Sequence, residues 1–297
     1  MEKIILLISI FLITACSIKN TDRINENEYI QQIENWQQEE LKYLKSNKNS
    51  PLNLAGLYWP KEGKNNIGSN SQNDIVFPEN APQFIGTITL SEKNITFHSN
   101  DEIEVMMDST IVQSVELQTN KSGKPTVLET GSLAWYIIES GGHYLIRLRD
   151  YDSPRMNEFK GFEYYPIDPV WRIKAKFQPF DTIHISNLTT AIGLVRQFKV
   201  LGILNFEING QAMKLNVSER GKKLITLFAD ETNGFETYGG GRILLIDKPD
   251  NNGFTIIDFN KTSNLSCAYT PFATCPMPSK ENTLPVRIEA GEKYISK

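Results

Sequence analysis

The sequence predicts a mainly β protein, an antiparallel β-sandwich or barrel-like body with one N-terminal amphipathic helix. Runs rich in aromatic and β-branched residues, bounded by glycine and proline, recur after Pro51. Two short turns also carry hairpin signals. Gly141-Gly142 joins SLAWYIIES to HYLIRLRD, and Asn209-Gly210 interrupts FEINGQAMKLNV. With 297 residues the chain is long enough to bury a substantial core.

Residues 1–15 have the layout of a signal peptide. Lys3 supplies a positive charge, and an apolar run from Ile4 to Ile13 is followed by small residues. The run is shorter than the roughly 18 apolar residues that span a bilayer, which favours cleavage over a transmembrane anchor. The stretch ITAC, which ends at Cys16, resembles the bacterial lipobox. That resemblance implies lipidation of Cys16, with the lipid bilayer as partner and the bacterial cell envelope as location. Ser17 in place of an aspartate implies the outer membrane or its periplasmic face more than the inner membrane.

The mature chain divides into a tether, a helix and two β regions. Residues 16–28 are predicted to be a lipidated polar tether, and residues 29–47 an amphipathic helix, because their apolar residues recur at i, i+3 and i+4. Their narrow apolar stripe favours packing on the protein's own core over binding a partner. The predicted β regions are residues 52–152 and 153–297, and the Pro- and Gly-rich stretch at their junction fits either a domain boundary or a long loop.

Composition excludes several functional classes. The net charge of −4 argues against a nucleic-acid partner. His98, His143 and His184 are scattered without ligand spacing, so no metal site is predicted. The chain has no nucleophile elbow, P-loop or dinucleotide fingerprint, so no cofactor is predicted either.

Candidate catalytic residues come from a polar set in the second β region, Asp230, Tyr238, Arg242 and Asp258. If TYGGGRILLID forms one strand, Tyr238 and Arg242 share a face. A buried aspartate in such a set could act as a general base. The alternative is a buried network that only fixes the turns of a β protein.

Candidate binding residues are Arg147, Arg149, Arg172, Thr232 and Asn260. The alternation in the strand runs predicts a basic sheet face, which could bind an anionic small ligand, either an anionic glycan or a lipid headgroup. Such a face is more often simply the solvated side of an antiparallel sheet.

Cys267 and Cys275 lie eight residues apart and are predicted to form a disulfide, because pairing is the default in an oxidising compartment. Closing so short a loop would stabilise the fold by roughly 2–3 kcal/mol. The alternative is a catalytic thiolate, which needs a nearby histidine or cation. No histidine follows His184 in the sequence.

Residues 65–90 (NNIGSNSQNDIVFPENAPQFIGTITL) resemble the opening of forkhead-associated domains. The resemblance implies a forkhead-associated-like β-sandwich for the first half. It does not imply phosphopeptide binding, since the arginine and the Ser-x-x-His that read phosphothreonine in that family have no counterpart here.

A second resemblance spans most of the mature chain. The motifs FADETNGFETYGGGRIL, CAYTPFATCPMP and the closing AGEK, together with GLYW and EYYP further upstream, resemble a bacterial family known as domain of unknown function 1684. That resemblance implies secreted or lipid-anchored relatives and no established activity. We therefore keep two hypotheses, a non-catalytic envelope lipoprotein that binds an envelope ligand or protein partner, and an envelope hydrolase with an Asp/Arg/Tyr site.

Overall fold

The computed structural model describes residues 25–91 and 94–294. The predicted signal peptide, the lipidation residue Cys16 and the predicted tether as far as residue 24 lie outside these ranges.

Helix α1 spans Glu26–Ser46 and confirms the predicted N-terminal helix. It begins three residues earlier than predicted, so the last residues of the predicted tether are helical. Its apolar stripe packs on the body, with Tyr29 and Ile33 buried. The Tyr29 hydroxyl donates a hydrogen bond to Asp258 Oδ1 at 2.8 Å, which ties the helix to the second β region. No helix among the described residues is long and apolar enough to cross a membrane.

The first β region forms two sheets. The first sheet has the order β1-β11-β10-β9-β6-β7, with β1 at Leu54–Tyr58, β6 at Met106–Met107, β7 at Thr110–Ile111, β9 at Leu128–Thr130, β10 at Leu133–Ser140 and β11 at His143–Asp150. The second sheet has the order β3-β2-β4-β5-β8, with β2 at Gly63–Gly68, β3 at Ile75–Val76, β4 at Gly86–Leu90, β5 at Ile95–Ser99 and β8 at Ser114–Glu116. Strand β3 runs parallel to β2, and the other pairs are antiparallel.

These two sheets share one apolar core, as the predicted sandwich requires. Trp135 of the first sheet is fully buried, and its ring lies edge-on to Phe97 of the second sheet at 5.8 Å. Ile88 and Leu148 belong to the same cluster. The period-two alternation of β10 and β11 places Trp135 and Leu148 on the same face of the first sheet. The resemblance to forkhead-associated domains itself stays a prediction.

The second β region forms one open antiparallel sheet with the order β17-β12-β13-β14-β15-β16-β18. Its strands are β12 at Arg172–Thr189, β13 at Val195–Ile208, β14 at Gln211–Arg220, β15 at Lys223–Phe228, β16 at Arg242–Asp247, β17 at Phe254–Asp258 and β18 at Ser263–Asn264. It has its own core, centred on Leu204, Phe228 and Phe259. The short helix α2 (Pro154–Glu158) lies between the two regions in sequence, and short 3₁₀ turns occur at Pro51–Asn53, Asn120–Ser122, Pro169–Trp171, Phe259–Lys261, Ser266–Ala268 and Lys280–Asn282.

Both predicted hairpins are confirmed. Ser140 pairs with His143 across Gly141-Gly142, and Ile208 pairs with Gln211 across Asn209-Gly210. All four turn residues have positive φ, which glycine and asparagine tolerate best.

Two other strand predictions are wrong. Strand β16 begins only at Arg242, and Tyr238 lies in a turn closed by the Gly241 N–H bond to the Tyr238 carbonyl at 3.0 Å. Tyr238 and Arg242 therefore do not share a strand face. The composition of the segment from Leu284 to Ile288 also predicts a last strand, but none forms there, and the isolated bridge to Ala229 is made by the preceding Thr283. Pro285 follows at once and cannot donate to a ladder.

Candidate functional site

Asp230 and Arg242 form an ion pair with both side chains fully buried. Arg242 also donates to the carbonyls of Ile288 and Ala290, at 2.9 and 2.7 Å. Asp230 accepts from the backbone and hydroxyl of Thr232, at 2.9 and 2.7 Å. The pair thus joins β16, the loop after β15 and the closing segment of the chain, which is the stretch after β18 (residues 265–294).

The structure does not assemble the predicted Asp/Arg/Tyr set into a reachable site. Asp230 and Arg242 have no exposed side-chain surface, so they are closed to a substrate. Tyr238 packs edge-on against Tyr294 at 5.2 Å, away from a shared strand face. Asp258 is half-buried and accepts its hydrogen bond from Tyr29 of α1. This arrangement matches the alternative that the sequence left open, a buried network that fixes turns.

Thr232 and Asn260, two of the predicted binding residues, are also buried. The Thr232 hydroxyl lies between Asp230 and Thr237. The Asn260 amide donates to the Tyr29 hydroxyl at 2.9 Å and to the Asp168 carbonyl at 2.8 Å. Both side chains use their polar groups within the fold.

The expected solvated basic face needs correction. Arg149 is only 7% exposed and donates to the Ser50 carbonyl, the Asn53 amide oxygen and the Tyr136 hydroxyl. Arg147 is half-buried and reaches Thr274 Oγ1 at 2.9 Å. This side of the first sheet is covered by Ser50 and Asn53 at Arg149 and by Thr274 at Arg147. Strand alternation predicts which side chains share a face. It cannot show which distant part of the chain packs on that face, so the sequence led us to expect a solvated one.

Arg172, the third predicted binding arginine, lies apart from the other two. It is half-buried at the start of β12, where its backbone pairs with that of Asp258. The structure therefore does not bring the three arginines together on one surface.

Glu292 is the centre of a polar cluster that the sequence analysis did not single out. It is 3% exposed and accepts hydrogen bonds from the Asn264 N–H at 2.6 Å, the Tyr164 hydroxyl at 3.1 Å and the Tyr269 hydroxyl at 3.3 Å. No cation lies within 4.0 Å of it among the described residues. Burial without a counter-ion disfavours the charged carboxylate.

Burial accordingly raises the pKa of Glu292 to about 7, while the bonds from Asn264, Tyr164 and Tyr269 oppose that shift and the Glu40 carboxylate adds to it. Burial also raises the pKa values of Tyr164 and Tyr269, and the Glu292 carboxylate adds to both shifts. The two hydroxyls therefore stay protonated as donors to this carboxyl group. A group that titrates near neutrality can exchange a proton with a ligand.

A cavity of about 440 Å³ opens beside Glu292, between α1 and the stretch from residue 159 to 164. Leu41, Leu44, Phe159 and Phe162 give it apolar walls. Its polar lining includes Gln37 and Gln38 of α1, Glu34, Lys160, Tyr164 and Glu292. This volume is within the range of small-molecule sites, and the mixed lining is typical of them.

An aromatic cluster supports one wall of the cavity. The Phe162 ring lies 4.9 Å from Tyr269, 5.7 Å from Tyr294 and 5.2 Å from Phe159. Rings packed at such distances stabilise each other and hold the wall in place.

The motifs EYYP, CAYTP and AGEK supply Tyr164, Tyr269 and Glu292. They are spread over 128 residues. No periodicity or spacing links residues so far apart. The only sequence signal for Tyr164, Tyr269 and Glu292 is that each belongs to a family motif.

Cys267 and Cys275 face each other as free thiols, so the predicted disulfide is not shown and stays a prediction. Each backbone N–H donates to the sulfur of the other residue, at 3.1 and 3.3 Å. No group of three or more His, Cys, Asp or Glu side chains is placed to hold a metal ion in the described ranges.

Comparison with known proteins gives a family and no function. Residues 157–293 match the family model described as protein of unknown function (DUF1684). A search of curated proteins finds no match. Among solved structures, the solution NMR structure of an uncharacterized protein of Haloarcula marismortui is similar, with 25% identity and a TM-score of 0.40, over 47% of this chain and 79% of that one. The motifs before residue 157 lie outside the family match. The resemblance seen in the sequence is confirmed, and residues 157–293 of this chain belong to the DUF1684 family of proteins of unknown function.

Proposed function

We propose that this protein is a lipid-anchored protein of the bacterial cell envelope and that its β-rich body binds an envelope ligand without catalysis. The observation that carries the binding role is the cavity beside Glu292, which Tyr164 and Glu292 of two family motifs line, while Tyr269 of a third motif holds the Glu292 carboxyl group. The anchor rests on the lipobox-like stretch ending at Cys16.

The lining favours an uncharged, hydroxyl-rich ligand such as a saccharide unit of an envelope glycan. Aromatic rings at Phe159 and Phe162 offer faces for the apolar side of a sugar ring. The amides of Gln37 and Gln38 can both donate to and accept from hydroxyl groups. Lys160 and the Glu34 carboxylate balance each other in the lining, so the cavity has no excess positive charge that would favour the anionic ligand expected from the sequence.

The buried Asp230–Arg242 pair counts against the hydrolase hypothesis, because the Asp230 carboxylate and the Arg242 guanidinium of the proposed site cannot reach a substrate. A binding role needs only a shaped cavity with placed polar groups, and the structure has such a cavity.

Replacing Cys16 with serine should release the protein from the membrane. Without the thiol no lipid can be attached, and the short apolar leader cannot hold the chain by itself. Detergent-phase partitioning of the full-length protein from cells measures this, with the Cys267→Ser variant as a control that keeps the anchor. Unchanged partitioning of Cys16→Ser would contradict the anchor.

Binding of a tetramer of N-acetylglucosamine, measured by isothermal titration calorimetry, tests the cavity. We expect binding by the wild-type chain, and Gln38→Ala should weaken it about five- to thirtyfold, since one lost hydrogen bond costs about 1–2 kcal/mol. Gln31→Ala is the matched control, because Gln31 lies exposed on the same helix and only contacts Asn35. Equal affinity of the two variants, or no binding by the wild type, would reject a saccharide site in this cavity.

A further inference from the structure

The two cysteines of the closing segment are placed to react with each other. Their sulfur atoms accept each other's backbone N–H groups, so both lie in one compact turn. Both residues are half-buried, and the neighbouring Ser266 is exposed, so solvent reaches this end of the turn. Because each sulfur lies 3.1–3.3 Å from the backbone nitrogen of the other cysteine, the two residues are close enough neighbours for a disulfide to be considered.

Arg147 lies beside this pair without an acidic partner. Its Nη2 donates to Thr274, the residue before Cys275, and its Nε is buried without a hydrogen-bond partner. No carboxylate lies within 4.0 Å of it among the described residues. Burial lowers its pKa, and the Cys275 sulfur is one of the groups that counter this effect. A desolvated guanidinium needs an anion, and a thiolate can supply it.

The other charged or titratable groups around the pair are Tyr238 on one side and Tyr136 and Arg149 beside Arg147. The hydrogen bond from the Cys275 thiol lowers the pKa of Cys267 to about 7, with a further contribution from Arg147, while burial opposes the shift. The same hydrogen bond and burial raise the pKa of Cys275. The first proton of the pair therefore leaves near neutral pH and the second far above it.

We propose that Cys267 and Cys275 form a reversible dithiol–disulfide pair that exchanges with low-molecular-weight disulfides, with Cys267 as the attacking sulfur and Arg147 as the residue that positions and stabilises its thiolate. The oxidised form of this pair is the disulfide predicted from the sequence. No histidine follows His184 in the sequence, and the fold instead supplies a cation, Arg147 of β11, which lies 127 positions before Thr274.

The exchange consists of two successive thiol–disulfide substitutions, in which atoms and electrons balance. The Cys267 thiolate attacks one sulfur of the disulfide RS–SR, forms a mixed disulfide and expels RS⁻, which takes a proton from solvent. Cys275 loses its proton to solvent and attacks the Cys267 sulfur. The Cys267–Cys275 bond forms and a second RS⁻ leaves. The protein loses two electrons, and the small disulfide gains them.

The test is alkylation of the reduced, full-length protein by iodoacetamide across pH 5 to 10, with peptide mass mapping to separate the two thiols. We expect Cys267 to react first, with a midpoint near pH 7. The Arg147→Met variant should raise that midpoint by about one pH unit, which lowers the thiolate fraction and the rate at pH 7 about fivefold. Arg147→Lys keeps the charge and should retain most of the wild-type rate.

A second measurement, oxidation of the wild-type pair by glutathione disulfide followed by intact mass, does not depend on any variant folding. We expect a loss of two mass units and its reversal by reduced glutathione. A Cys267 midpoint above pH 8.5, equal rates in the wild type and a folded Arg147→Met variant, or a disulfide that glutathione neither forms nor reduces would each overturn the proposal.

Discussion

Replacing Arg242 with methionine is expected to lower the free energy of unfolding by about 3–5 kcal/mol, the cost of removing one partner from a buried ion pair. The substitution leaves the Asp230 carboxylate without solvent or a cation. It also leaves the carbonyls of Ile288 and Ala290 without their donor. Burial lowers the pKa of Arg242, and Asp230 counters that shift, so each charge depends on the other.

Denaturant unfolding of the protein, followed by circular dichroism, measures this loss. Arg287→Met is the matched control, since Arg287 makes comparable ion pairs with Glu236 and Glu289 on the exposed surface. We expect little change from that substitution, because solvent already screens the charges. If Arg242→Met costs no more than Arg287→Met, the pair does not hold the closing segment to the sheet.

The wild-type protein is expected to become less stable as pH rises from 5 to 8. The Glu292→Gln variant is expected not to show this loss of stability. The folded pKa of Glu292 is about 7, above its usual 4.5. Between those values the folded state binds a proton that the unfolded state does not, so stability falls with rising pH. The stabilisation is fully present below pH 4.5 and is lost as pH passes 7. Across pH 5 to 8 the loss amounts to about 2–3 kcal/mol, at about 1.4 kcal/mol per pKa unit.

The measurement is a set of urea unfolding curves for both proteins at pH 5, 6, 7 and 8. The difference between wild type and Glu292→Gln isolates this residue, because the other titrating groups are common to both. Glutamine can still accept the bond from the Asn264 N–H and remains uncharged at every pH. Two parallel stability profiles would show that Glu292 is ionised throughout and would contradict the assigned pKa.

Most of the local architecture could be predicted from the sequence. The hairpins at Gly141-Gly142 and Asn209-Gly210 formed as expected, because the turn residues themselves allow positive φ. Helix α1 also formed, since its apolar spacing is a local property. The strand predicted through Tyr238 does not form, because Gly239, Gly240 and Gly241 favour a turn over an extended chain.

The mainly β class, the helix, the hairpins and the family match of residues 157–293 follow from the amino-acid sequence, because each depends on neighbours in the chain or on a motif. The sites depend on the folded chain. It buried the Asp230–Arg242 pair, and it gathered Tyr164 and Tyr269 at the Glu292 carboxyl group. The physical reason is that burial and charge pairing depend on which surfaces pack together. Contacts between residues more than a hundred positions apart leave no periodic signal in the chain.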